Sequence, residues 1–79
     1  MGKKIEVMKY TYDSDNETFN IYQIDNDDML DFYIERKDYA NLYHCVSIYK
    51  KDKPNDINEF IESNLDNWIF IVMNETEED

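Results

Sequence analysis

The chain has one histidine and one cysteine, His44 and Cys45, and they are adjacent. They are its only pairing of an imidazole base with a thiol nucleophile. Covalent catalysis needs such a pair within hydrogen-bond reach, with a third group orienting the base. Residues 42 to 50, LYHCVSIYK, read with the period of a strand, and neighbours on a strand point to opposite faces. A half-buried histidine and an inert thiol are therefore expected. One His and one Cys also fall short of the four ligands of a structural zinc site. Asp13, Asp15 and Glu17 repeat like calcium-loop ligands, but Thr18 stands where an EF-hand needs glycine and Ile24 where it needs a bidentate glutamate. The run from Asp25 and Asp27 fails likewise, with Leu30 and Arg36 at those two positions. Gly2 is the only glycine, which excludes a glycine-rich phosphate cradle. Paired carboxylates work as acid and base only inside a cleft, and 79 residues leave little core to shape one. The residues predict no enzyme, no cofactor and no metal site.

What remains is charge. The chain carries 19 Asp and Glu against 8 Lys and Arg, a formal net charge of -11. Such an excess repels itself in the compact state and opposes binding to nucleic acid or anionic membranes, which need cations on the protein. A basic protein is the complementary partner. The charge is also segregated: residues 13 to 31 hold seven acidic and no basic residues, and residues 54 to 79 hold eight acidic and no basic ones. The candidate binding residues are accordingly Asp13, Asp15, Glu17, Asp25, Asp27, Asp28 and Asp31 in the first segment, and Asp56, Glu59, Glu62 and Asp66 in the second. The last four span a stretch of helix about 15 Å long at the usual rise, so their carboxylates can stand in for a phosphate strand. The competing reading is a solvated exterior with no partner.

The elements that must position these groups follow from periodicity. Residues 3 to 12 and 18 to 24 alternate with a period of two and are separated by DSDNE, which predicts a hairpin. Leu30, Phe32 and Ile34 alternate with Asp31, Tyr33 and Glu35 in a third strand. In a fourth, Leu42, His44, Val46 and Ile48 should share one face and Tyr43, Cys45, Ser47 and Tyr49 the other. Asn55 or Asp56 can cap a helix, in which Ile57, Phe60, Ile61, Asn64, Leu65 and Trp68 face inward. Residues 68 to 73, WIFIVM, either extend that helix or form a fifth strand, and their bulky β-branched and aromatic content favours the strand. The expected fold is α+β: a four-stranded antiparallel β-meander packed by one C-terminal amphipathic helix, within a single domain over residues 1 to 74 and an acidic tail over 75 to 79.

Seven tyrosines are the second compositional signal. Aromatics on a sheet face that no helix covers, Tyr22 and Tyr43 foremost, would serve a protein interface or a homodimer; core packing accounts for some of them equally well. The longest apolar run, Trp68 to Met73, is too short to span a bilayer. No secretory leader is visible, and Glu6 stands where a myristoylation signal starting at Gly2 wants Ser or Thr. A cytoplasmic protein is expected.

In size, charge and carboxylate segregation the whole chain resembles the small acidic DNA-mimic and host-takeover proteins of bacteriophages, a class that shares electrostatics rather than a motif. The resemblance implies an inhibitor acting in the host cytoplasm, which covers the basic nucleic-acid-binding surface of a host protein such as the nucleoid protein HU. The alternative is a small adaptor or regulatory subunit that uses the tyrosine-rich sheet face.

Overall fold

The computed structural model describes residues 3–11 and 17–76. Four strands, β1 (Lys4–Thr11), β2 (Thr18–Asn26), β3 (Met29–Arg36) and β4 (Leu42–Tyr49), form one antiparallel sheet in sequence order. A single 3₁₀ turn at Lys50–Asp52 leads to one long helix, α1 (Ile57–Thr76), which covers one face of the sheet. This is the predicted α+β meander with its C-terminal helix.

The strands form because their apolar side chains recur every second residue and the turns between them suit tight reversals. Asn26 pairs with Met29 across the Asp27-Asp28 turn, where Asp27 adopts a left-handed φ of 56°. Asp tolerates that region better than branched residues do. Phe19, Ile21, Leu30, Phe32 and Ile34 thereby point to one side and meet Ile61, Leu65, Trp68, Ile69 and Val72 of α1. The Phe32 ring lies 5.5 Å from Phe60 and 5.9 Å from Trp68. Each such side chain contributes about 1.5–3 kcal/mol on burial, so this layer holds the helix in place.

Residues 68 to 73 are helical, not a fifth strand. The strand expectation weighed β-propensity, which depends on context. Spacing decides instead: Ile61, Leu65, Trp68, Ile69, Val72 and Thr76 are all buried along one side of α1, so continuing the helix keeps the same stripe on the sheet. The helix also takes in Glu75 and Thr76, the first two residues of the expected tail. Residues 77–79 lie outside the described residues.

Both edge strands carry a bulge. In β1 the register shifts between Glu6 and Met8, so Ile5 and Met8 share the covered face while Val7 is the extra residue. In β4 it shifts so that Phe32 pairs with Val46 but Tyr33 pairs with His44. Strict alternation in β4 is thus broken. Tyr43 pairs with Ile34 on the covered face, while Leu42 and His44 join Ser47 on the open one, the reverse of the expected assignment for Leu42, Tyr43 and His44 relative to Val46 and Ile48. Bulges, with Lys4 and Lys9 on β1, guard the sheet edges against pairing with another strand.

Candidate functional site

The outer face of α1 is built by its capping and phase. Asp56 caps the helix, its Oδ1 accepting the Glu59 backbone N–H at 3.1 Å. Glu59, Glu62, Ser63 and Asp66 then fall on the side away from the sheet and are exposed, as the sequence predicts. Glu59, Glu62 and Asp66 form no salt bridge among the described residues. Ser63 Oγ donates to the Glu59 carbonyl at 2.6 Å, so the polar residue between the carboxylates is satisfied by the helix itself. A shallow cleft at the head of this face is lined by Pro54, Asn55, Asp56, Glu59, Phe60 and Ser63.

The first acidic segment is put to different use. Glu17 accepts from Arg36 Nε at 3.1 and 3.2 Å and from Arg36 Nη2 at 2.7 Å. The hydrogen bonds from Arg36, assisted by its charge and opposed by burial, hold the Glu17 carboxyl below the usual glutamate value. Arg36 Nη1 also donates to Thr76 Oγ1 at 2.8 Å, which in turn donates to the Val72 carbonyl at 2.7 Å. This cluster ties the end of β3 to the end of α1. Asp31 is buried at 9% exposure, its Oδ1 accepting from Ser47 at 2.5 Å and its Oδ2 from Asn26 at 3.4 Å. Asp25 faces Lys50 at 3.9 Å. Asp27 and Asp28 are exposed in the turn, but the Asp28 carbonyl accepts the Lys50 N–H at 2.8 Å, which brings Lys50 and Lys51 alongside. A cleft of about 280 Å³ lined by Asp28, Tyr49, Lys50 and Lys51 marks this mixed-charge corner. A segment free of cations in sequence is therefore not free of them in space. Asp13 and Asp15 lie outside the described residues.

The sheet face away from α1 is polar and aromatic. Tyr22 donates to Glu35 Oε1 at 3.0 Å, Asn20 Nδ2 donates to the same oxygen at 3.2 Å, and Lys4 Nζ sits 4.7 Å above the Tyr22 ring. Burial, then the Glu35 hydrogen bond and charge, push the Tyr22 phenol up, keeping it a proton donor. Tyr33 meets His44 edge-on at 5.3 Å. Tyr22 and Tyr43, expected together, lie on opposite faces, because Tyr22 pairs with Tyr33 and Tyr43 with Ile34.

His44 Nε2 lies 2.8 Å from Ser47 Oγ, which completes a chain of His44, Ser47 and Asp31. Its polarity is opposite to that of a serine nucleophile. The Ser47 proton is given to Asp31, so Nε2 must donate to Oγ, whereas activation requires the histidine to accept that proton. Cys45 is half-buried, its Sγ 3.8 Å from the Tyr43 carbonyl, and burial pushes its thiol up to about 12. No three His, Cys, Asp or Glu among the described residues gather to hold a metal ion. None of the described helices is long and apolar enough to cross a membrane.

One surface residue escaped the sequence reading. Phe70 is 67% exposed, one turn beyond Asp66 on the outer face of α1. A strand over 68 to 73 gave it no place on that face. The signal was available in its phase: it is out of step with Trp68, Ile69 and Val72, and in step with Glu59, Ser63 and Asp66.

Fold and surface together define a two-layer α+β domain with an acidic helix face and a polar aromatic sheet face. Comparisons with protein-family models, curated proteins and solved structures yield no match.

Proposed function

We propose that this chain is a non-enzymatic binding domain that covers the basic nucleic-acid-binding surface of another protein, as the acidic DNA mimics of bacteriophages do, and thereby excludes DNA. The observation that carries the reading is the outer face of α1: Glu59, Glu62 and Asp66 are exposed and lack salt bridges among the described residues, with Asp56 at the head of the same helix. Together they place four carboxylates along about 15 Å, one per about 5 Å of helix axis, a sparser row of the same sign as the one charge per about 3.4 Å of a single DNA strand. Clustered charge of one sign steers a complementary partner at rates above neutral encounters. Lysines and arginines that hold phosphates would pair with these carboxylates instead. The nucleoid protein HU, in a host cytoplasm, is the first target.

The test is titration of purified HU at a series of salt concentrations, with duplex DNA as competitor. Affinity should fall steeply with salt, and DNA and the acidic domain should exclude one another. Affinity unchanged at high salt, or a ternary complex with DNA still bound, would sink mimicry.

The uncovered sheet face supports a second reading, an adaptor docking through Tyr22, Tyr33 and Tyr49. All three lie on that side, and Tyr49 is 54% exposed. Substituting Tyr33 and Tyr49 while leaving α1 intact separates the two: loss of partner binding there supports the adaptor.

A further inference from the structure

We infer that Phe70 is the apolar end of the α1 docking face, and that this face fits a basic protein of the kind that touches bases with an apolar side chain. In that complex the ring stands in for an unstacked base, beside carboxylates that stand in for phosphates. The inference rests on the mimicry reading and names the class of partner.

Phe70 has no task inside the fold. Its neighbours Ile69 and Val72 are buried against the sheet, while Phe70 is 67% exposed, the most exposed large hydrophobic side chain among the described residues. Its position is fixed by helix phase: Glu59, Ser63, Asp66 and Phe70 follow at intervals of three and four, so the ring lies one turn, about 6 Å, beyond Asp66. Of its helical neighbours, Asp66, Asn67 and Asn74 are exposed and polar, while Met73 packs inward against the core, leaving the ring standing clear.

The surroundings select the occupant. Residues 54 to 79 carry no cation, which repels nucleic acid and anionic lipid and attracts lysine and arginine. Charge alone would be met by any polycation, but the ring adds a demand for an apolar socket between the cations. Proteins that read the major groove meet bases with polar donors and acceptors, and a phenyl ring would bury those without partners. Architectural proteins insert apolar wedges between base steps, and single-strand binders stack bases on aromatic platforms. These two present a whole apolar or aromatic side chain where a base would be, whereas major-groove readers make their apolar contact only to the thymine methyl.

The test compares wild type, Phe70→Ala and Phe70→Trp for binding to HU and to poly-L-lysine, across the same salt series. Circular dichroism and Tm verify that the exposed substitutions leave the fold unchanged. HU affinity should drop about tenfold or more in Phe70→Ala, within the range set by one lost base-aromatic contact, with an unchanged salt slope and recovery in Phe70→Trp. Poly-L-lysine, which has no apolar socket, should bind all three alike. Equal HU affinity for wild type and Phe70→Ala overturns this inference and leaves mimicry standing. An equal loss on poly-L-lysine also overturns it, since the ring would then be acting through charge or fold. If HU binds none of the three while poly-L-lysine binds all, the mimicry reading fails for HU, and this inference fails with it.

Discussion

The two acidic segments look alike in sequence and behave differently in the fold. On the sheet side, Glu17 is held by Arg36, Asp31 by Ser47 and Asn26, and Asp25 faces Lys50. On the helix side, Glu59, Glu62 and Asp66 meet no cation among the described residues. The difference comes from what each element offers its side chains. A strand sets them 4.5–5.5 Å from cross-strand neighbours that the register brings in from far along the chain. A helix packed on one face gives its outer residues only i±3 and i±4 partners, and here those are Ser, Asn, apolar residues or other acids, with no cation among them. Carboxylates in the sheet therefore stabilise the fold, while those on α1 cost some stability through mutual repulsion and remain free to act on a partner.

The largest test of this contrast neutralises the helix row. Glu59→Gln, Glu62→Gln and Asp66→Asn together should weaken binding to HU about a hundredfold at low salt and flatten its salt dependence by about three ion equivalents. Thermal stability should change little, because the relief of repulsion offsets the loss of the Glu59 charge from the first helical turn. A fall in Tm without loss of binding would reverse the assignment of the two segments. Next in size is Arg36→Leu. It strands Glu17 and removes the donor to Thr76, so urea unfolding should show a loss of about 2–3 kcal/mol, typical of breaking a partly buried ion pair and a charged hydrogen bond. Affinity for HU should be unaffected in the same variant. If binding falls with stability still intact, the Glu17 cluster belongs to the docking surface after all.

The meander was readable because Phe19 and Ile21, and Leu30, Phe32 and Ile34, alternate cleanly where the strands are interior to the sheet. The edges were not. One extra residue in each of β1 and β4 puts the side chains on its two sides out of phase, which sent Tyr43 inward and Leu42 and His44 outward without any mark in composition. The end of the helix was misjudged for a related reason. WIFIVM has the residues of a strand, and only the phase it shares with Ile61 and Leu65 reveals a helix, so Phe70 was lost with it. At the candidate site, the exposure of Glu59, Glu62 and Asp66 was legible from helical spacing alone. The fate of Glu17 and Asp31 was not, because Arg36 and Ser47 lie far from them along the chain and reach them only through strand register.

A smaller effect probes the sheet side through pH. The folded state holds the Glu17 carboxyl below its ordinary value of about 4.3. The unfolded chain therefore binds this proton more readily, and the pair's contribution is fully present above that pH and lost as pH falls through the folded value. The stability difference between wild type and Glu17→Gln, measured by urea unfolding, should be constant from pH 7 to about 5 and shrink toward zero below about 4.

The smallest effect concerns Cys45, the extra residue where the β4 register shifts, whose thiol burial has pushed up to about 12. The thiolate is the reactive species, and a free cysteine has a pKa of about 8.5. At pH 8 the native thiol should react with iodoacetamide about a thousandfold more slowly than in the urea-unfolded chain, with reaction in the native state governed by local opening of the β4 edge. This refines the contrast between the two sides, since it asks whether the sheet keeps its polar atoms to itself even at an edge strand. Native labelling at the rate of a free thiol would place β4 among the open surfaces of the protein. The internally spent side would then narrow to β2 and β3, where Glu17, Asp31 and Arg36 are held.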